Sequence, residues 1–337
     1  MSCSEFLFQA AHEPVLALTA ALVLATIFVN GWTDAPNAIA TVVATGTLPF
    51  RRAVLLAALC DLLGLVVMTA LSPTVAETLY TIVDFGGDSS AALSALCAAL
   101  CAIVAWAVLA WRFGVPTSES HALVAGLTGA AMAMPGGLSN VQGAAWAKVI
   151  LGLVLSLGLG WAAGRGWSRR LARAPLSTAA CRRGQLLGAA AMAFLHGAQD
   201  GQKFLGVFLL GVSLAGGGAG EGAFFVPLWL MALCAVVLAL GVSLGGRRII
   251  DTGGRDMVSL SPKDGLAADL GGGLCLLLCT LSGLPVSTTH AKTAAILGAG
   301  GSADLRVAGR VALTWLFTFP GCGALGFFLT KLFRFPM

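Results

Sequence analysis

The sequence has few charged residues. Only 10% of its 337 residues are Asp, Glu, Lys or Arg, whereas soluble globular domains have about 25%. Hydrophobic residues make up 58% of the chain, and the mean hydropathy is +0.90. This balance predicts an integral membrane protein. It excludes soluble enzymes, nucleic-acid binders and secreted disulfide scaffolds, and the net charge of +5 does not indicate nucleic-acid binding.

The chain also lacks several local patterns. It contains no Cys-x-x-Cys pair, and most of its nine cysteines lie inside apolar runs, so neither a disulfide framework nor a cysteine metal site is predicted. The N-terminal segment carries Glu5, His12 and Glu13 in place of the basic region of a signal peptide.

Long apolar stretches fill most of the chain. A transmembrane helix needs about 20 apolar residues, and we identify ten stretches of that order: 15 to 43, 53 to 71, 91 to 111, 115 to 134, 145 to 164, 186 to 214, 224 to 245, 266 to 282, 284 to 301 and 307 to 332. Five precede an arginine-rich loop and five follow it. This loop contains six arginines and no acid between them: Arg165, Arg169, Arg170, Arg173, Arg182 and Arg183.

Two unrelated motifs recur in the second half of the chain. The motif that begins at Gly31 returns in similar form at Gly197, and the motif at Gly114 returns at Gly283. The separation between the copies is nearly the same for both motifs, and a duplicated unit explains this. We therefore predict an all-α polytopic membrane protein with two repeats, residues 1–164 and 186–337, joined by a cytoplasmic linker, residues 165–185.

The distribution of arginine predicts the orientation of the repeats. An odd number of crossings in each repeat, with the linker cytoplasmic, places two further basic groups inside: Arg51 with Arg52, and Arg247, Arg248 and Arg255 with Lys263. Both termini then lie outside. The prediction is inverted repeats with broken helices or re-entrant hairpins near the midplane, a design of secondary transporters.

An acid lies inside the first apolar stretch. Asp34 costs about 2.5 to 3.5 kcal/mol near the bilayer centre unless it is bound, and Pro36 predicts a helix break beside it. The neighbouring oxygens of Asn30, Thr33 and Asn37 suit a hard cation. The alternative is that Asp34 only pairs with a neighbouring helix.

The second copy contains an acid and a base three residues apart, Asp200 and Lys203. Lys203 is a candidate contact for a substrate anion, and neutralisation of Asp200 is the alternative. His196 is interpreted as a core histidine with a satisfied side chain. Glu119 is a candidate proton or cation group, with a solvated helix cap as the alternative, and the sequence predicts no role for Asp61 or Lys292.

Both copies of the second motif have the pattern of a helix start, with proline followed by hydroxyl residues. A helix N-terminus offers free N–H groups and partial positive charge to an anion. The candidate anion donors are the hydroxyls of Thr117, Ser118, Ser120, Ser287, Thr288 and Thr289. Ordinary capping of two helices is the alternative.

At these residues the sequence resembles the inorganic phosphate transporter (PiT) family. Four segments carry the resemblance: Asn30 to Ala40, Pro116 to His121, His196 to Lys203, and Pro285 to His290. The family usually has Asn before each Asp, and Thr33 and Gln199 stand there in this chain. Both retain a side-chain oxygen for a cation.

The resemblance implies a transporter in the plasma (inner) membrane that imports inorganic phosphate by cotransport with sodium or protons. Asp34, Asn37 and Asp200 would lie at the cation and phosphate site, with sodium a candidate ion at both acids. No cofactor and no enzymatic activity are expected, and a homodimer in membrane lipid would be usual for such transporters. A sulfate permease, an anion channel and a membrane hydrolase using His121 with a serine are the competing interpretations.

Overall fold

The computed structural model describes residues 1–86, 88–114, 117–216, 224–244, 246–251, 257–301 and 304–333. Regular secondary structure in these residues is helical. The helices are α1 (Cys3–His12), α2 (Pro14–Thr33), α3 (Ala40–Ala44), α4 (Phe50–Leu71), α5 (Thr74–Tyr80), α6 (Ser89–Arg112), α7 (Glu119–Ala133), α8 (Gly143–Arg173), α9 (Thr178–Ala215), α10 (Leu228–Leu244), α11 (Arg247–Asp251), α12 (Pro262–Leu281), α13 (Thr288–Ala299) and α14 (Leu305–Phe333).

Six helical segments of the described chain are long and apolar enough to cross a membrane: Pro14–Ala44, Phe50–Leu71, Ser89–Arg112, Gly143–Arg173, Pro262–Leu281 and Arg306–Phe333. Each of the ten predicted apolar stretches contains a helix. The predicted all-α polytopic membrane fold is confirmed. Pro116 of the second motif and Arg255 of the basic groups lie outside the described residues.

The arginine-rich segment differs from its prediction as a loop. Arg165 to Arg173 form the last turns of α8, and Arg182 and Arg183 lie in the first turns of α9. Only residues 174–177 connect the two helices. The segment is rich in Ala, Arg and Leu, which favour helix. Pro175 therefore marks the interruption, and Ser177 caps α9 by accepting the N–H of Ala180 at 3.2 Å.

The predicted break after Asp34 is present. Helix α2 ends at Thr33, and a 3-10 turn over Ala35–Ile39 separates it from α3. Proline lacks an N–H and clashes with the carbonyl four residues earlier. The equivalent stretch of α9 has Gln202 where α2 has Pro36, and α9 continues unbroken past Asp200. The two copies of the first motif therefore differ in backbone.

Glycines allow two pairs of helices to approach closely, in the same way in each half. A Cβ atom at Gly197 of α9 would lie 2.0 Å from the Asp61 carbonyl oxygen of α4, and one at Gly31 of α2 would lie 2.4 Å from the Leu238 carbonyl of α10. Helix α9 thus packs on α4 as α2 packs on α10.

Two further pairs of helices are related in the same way. A Cβ at Gly164 of α8 would lie 2.4 Å from the Ala295 carbonyl of α13, and one at Gly326 of α14 would lie 2.5 Å from the Gly126 carbonyl of α7. Helix α8 packs on α13 as α14 packs on α7. The sequence repeat is therefore matched by a repeat of helix contacts.

The contacts define two ends of the bundle. At the first end, the Phe6 ring lies 5.4 Å from that of Phe208, and Tyr80 donates to Ser213 at 3.0 Å. Helix α6 begins and α7 ends at this end, beside residues 82–85.

At the second end, the hydroxyls of Thr45 and Thr47 donate to the side-chain oxygen Oε1 of Gln185 at 2.9 and 2.7 Å. Lys263 donates to the Ala174 carbonyl at 3.3 Å. The start of α12, the end of α13 and the α8–α9 junction lie here. Hairpin α6–α7 therefore opens towards the first end and hairpin α12–α13 towards the second.

Candidate functional site

Two short helices, the half-helices α7 and α13, begin close together in the centre of the bundle. Ser118 caps α7 by accepting the N–H of His121 at 3.3 Å, and Ser287 caps α13 by accepting the N–H of His290 at 3.2 Å. The two imidazole rings lie 4.5 Å apart. The predicted helix starts are thus confirmed and their N-termini converge, while both serine oxygens also perform the ordinary capping considered as the alternative.

The first acidic group of the site contains Asp34 and Glu119. Asp34 Oδ1 accepts from the amide of Asn37 at 2.9 Å and from the hydroxyl of Thr289. The hydroxyl of Thr33 donates to Glu119. Asp34 Oδ2 and Glu119 Oε2 are buried without a partner among the described residues. Two acids therefore lie in one buried group without a cationic side chain among these contacts.

The second group is built around Asp200. Lys203 Nζ donates to Asp200 Oδ1 and to Ser120 Oγ, both at 2.6 Å. Asp200 Oδ2 accepts from the amide of Asn30 at 3.2 Å and from the hydroxyl of Thr288 at 3.3 Å. Asn30 thus binds the acid of the other repeat, and Lys203 neutralises Asp200. Each half-helix contributes a hydroxyl.

A histidine joins the second group to a further acid. His196 Nδ1 lies 2.8 Å from Asp61 Oδ1, and its Nε2 lies 3.3 Å from Asp200 Oδ2. All three side chains are buried. Sequence reasoning left Asp61 unassigned, although an acid in an apolar stretch was the available signal. It binds the histidine that lies between the two acids.

A cation can be held between the two groups. One ligand atom from each of Asp34, His196 and Asp200 lies within 4.8 Å of the others. Both nitrogens of His196 already face carboxylates, so oxygen ligands are left for an ion. In the described part of the chain, the oxygens of this site without a partner are Asp34 Oδ2, Asp61 Oδ2, Glu119 Oε2 and Asn30 Oδ1. Carboxylate and amide oxygens suit hard cations such as sodium.

Thr117 departs from its predicted place among the anion donors. Its hydroxyl lies 3.1 Å from that of Thr318 on α14 and accepts from the indole of Trp106 at 3.4 Å. The residue precedes the helix cap, and its side chain joins α14 to α6. It therefore supports the position of hairpin α6–α7.

Gln199 also departs from its predicted role as a cation ligand. Its amide donates to the Thr280 hydroxyl at 3.0 Å and to the Leu284 carbonyl at 3.1 Å, and its oxygen accepts the N–H of Val286 at 3.3 Å. All these partners lie at the turn of hairpin α12–α13. Gln199 holds that turn against α9.

A second buried ion pair lies outside this group. Lys292 of α13 pairs with Asp269 of α12 and donates to Thr41 at 3.1 Å. When the motif at Gly114 is aligned with that at Gly283, the corresponding positions of the first repeat are Leu123 and Leu100, both fully buried. The pair thus belongs to one repeat only, and sequence reasoning missed its partnership.

Buried acids, hydroxyl-bearing half-helices and a broken helix, within a duplicated helical bundle, define a polytopic membrane transport protein. The chain belongs to the phosphate transporter family, whose model matches residues 30–176 and 166–326. The resemblance that the motifs indicated is confirmed, and the protein is not an enzyme.

Named relatives cover most of the chain. Three called probable low-affinity inorganic phosphate transporter come from Rhizobium meliloti (35% identity, 93% of this chain, 94% of the relative), Mycobacterium leprae (34%, 93% and 76%) and Bacillus subtilis (32%, 94% and 98%). A solved structure described as the sodium-dependent phosphate transporter has a TM-score of 0.85 at 20% identity, covering 96% of this chain and 100% of that one. At this identity the comparison shows that the two proteins share a fold.

We predict that Asp61→Leu destabilises the protein far more than Asp61→Asn. Removing one partner of a buried pair costs about 3 to 5 kcal/mol, whereas the Asn oxygen can still accept from His196 Nδ1. Thermal unfolding of the purified protein in detergent measures the difference. Equal melting temperatures for the two variants would contradict the role of Asp61 as the partner of His196.

Proposed function

We propose that the protein imports inorganic phosphate by cotransport with sodium or protons. The observation that carries this proposal is the convergence of two hydroxyl-bearing helix N-termini on a buried acidic cluster. The names of the curated relatives, probable low-affinity inorganic phosphate transporters, support phosphate as the substrate.

The helix N-termini provide the anion contacts. The N–H groups of the first turns and the hydroxyl of Ser120 can donate to an anion without adding a fixed charge. The hydroxyls of Thr288 and Thr289 donate to Asp200 and Asp34 in this structure and would turn to the anion when it binds. Ser118 and Ser287 accept a backbone N–H and can still donate their own hydroxyl protons. A cation held by Asp34 and Glu119 offsets the negative charge of the anion, and the loaded site can then cross the membrane.

Two oxygens favour phosphate over sulfate. Asp34 Oδ2 and Glu119 Oε2 are buried acceptors without a partner in the described chain. Phosphate at neutral pH retains a proton that it can donate to a carboxylate, whereas sulfate has none. An anion channel would have no use for the acids, which cost free energy in the membrane.

We further propose that the repeats, 1–164 and 186–337, are inverted and that the second end of the bundle faces the cytoplasm of the plasma membrane. The helical segment around residues 165–185 concentrates arginine there, as cytoplasmic connections do. Hairpins that open towards opposite ends suit alternating access by movement around a central site. Lipid would contact the exposed apolar side chains, and a homodimer stays a prediction.

Radiolabelled phosphate uptake into liposomes that contain the purified protein tests the proposed function. An imposed sodium or proton gradient should drive uptake, and excess sulfate should not compete. Asp34→Asn should insert and fold but lose gradient-driven uptake, because the coupling cation loses a charged ligand. Full uptake by this variant would exclude Asp34 from coupling, and the absence of uptake by the wild type would reject the transport proposal.

We predict that the double variant Ser118→Ala, Ser287→Ala has at least about tenfold weaker phosphate affinity, because each bond from a neutral donor to a charged acceptor contributes about 1.5 to 3 kcal/mol. Ser177→Ala is the matched control. It removes the cap of α9, outside the site, at a cost of about 1 kcal/mol in stability. Unchanged affinity in the double variant would leave Ser118 and Ser287 as caps alone.

Cysteine labelling tests the orientation. On a cysteine-free background, Pro175→Cys in the α8–α9 connection should react only from the cytoplasm, and Ser4→Cys only from outside, because the arginines around the connection resist translocation. Position 336 at the other terminus should react from outside as well. Reaction of all three positions from one face would reject inverted repeats.

A further inference from the structure

The two halves of the site carry different residues three positions after each acid. Asn37 follows Asp34, and Lys203 follows Asp200, so the two pairs occupy equivalent places in the repeated motif. Asn37 donates to Asp34 Oδ1 and, at 3.2 Å, to the hydroxyl of Thr289. A neutral amide therefore occupies the position that an ammonium occupies in the other half.

Lys203 makes the corresponding contacts in the second half. Its ammonium donates to Asp200 Oδ1 and to Ser120, and Ser120 is the counterpart of Thr289 when the motifs at Gly114 and Gly283 are aligned. The same carboxylate and hydroxyl pattern is thus built twice. One copy binds an amide and the other binds a positive charge.

The oxygens around the ammonium form a set of the kind that hard cations select. Lys203 Nζ contacts the Asp200 carboxylate at 2.6 Å, the Ser120 hydroxyl at 2.6 Å and the Val286 carbonyl at 2.5 Å. These ligands come from α9, α7 and the turn before α13. Carboxylate, hydroxyl and carbonyl oxygens are the ligands of alkali and alkaline-earth ions in proteins, and Lys203 is only 1% exposed.

The charge of the two halves differs as a result. Asp200 has its own ammonium, whereas Asp34 shares its surroundings with a second acid, Glu119, where the other repeat has Thr288. Asp34 Oδ2 and Glu119 Oε2 have no partner among the described residues. The half of the site that contains Asp34 therefore has the greater negative charge and the stronger need for a mobile cation.

We propose that Lys203 is a tethered cation that takes the place of one coupling ion at Asp200, so that the mobile cation binds only at Asp34 and Glu119. This rests on the cation-coupled transport proposed above, and it revises the prediction of equivalent ion sites at Asp34 and Asp200. Lys203 thereby determines how many ions accompany each substrate.

The variant Lys203→Asn tests this proposal, because it gives the second half the amide of the first. Its purified full-length form should unfold at a lower temperature than the wild type in choline chloride. Replacement of choline by sodium at equal ionic strength should raise its melting temperature by about 3 °C or more beyond the rise seen for the wild type. Phosphate uptake by the variant should depend more steeply on the sodium concentration than uptake by the wild type.

The double variant Asp200→Asn, Lys203→Asn is the control, since it removes both charges. It should fold in either salt and show no sodium response beyond that of the wild type. A Lys203→Asn protein that sodium does not stabilise more than the wild type, whether it is folded or unfolded, overturns the proposal. The wild-type uptake assay reports separately on phosphate transport, and the melting temperatures are independent of it.

Discussion

A buried carboxylate must find a partner, and the rest of this structure depends on that constraint. An acid at the bilayer centre costs about 2.5 to 3.5 kcal/mol on insertion scales, yet Asp34, Asp61, Glu119 and Asp200 are all buried. Their partners come from distant parts of the chain, and the Asn30 amide of the first repeat binds Asp200 of the second. Satisfying the acids therefore requires both repeats to be assembled, so the site and the fold form together.

Close helix packing makes those contacts reachable. Polar side chains this short meet only if the helix backbones approach closely, and glycine without a Cβ permits that approach. Gly197 lies against the Asp61 backbone one residue after His196, whose ring binds the Asp61 side chain. A larger residue at Gly197 would separate α9 from α4 and weaken the pair. Gly197 is thus needed for the close packing of α9 on α4 that brings His196 to Asp61.

The sequence predicted the features that depend on local chemistry. The break near Pro36 and the helix starts after Ser118 and Ser287 follow from proline and hydroxyl residues at particular positions, and all three are present. The partners of the buried polar side chains could not be predicted from the local sequence. Gln199 binds the turn before α13, and Asp61 finds His196 in a distant part of the chain, contacts that only the packing of helices decides.

The divergence of the two copies makes the two acid sites unequal. Two identical acid sites would bind cations equally. Here Asp200 contacts a permanent ammonium, Lys203, while Asp34 lies near Glu119 and contacts the neutral Asn37. Because only one half lacks its own positive charge, binding of a mobile ion changes the charge of that half alone. The repeated helix contacts bring the two acids together, and the unequal side chains Asn37, Glu119 and Lys203 decide which half responds to the ion.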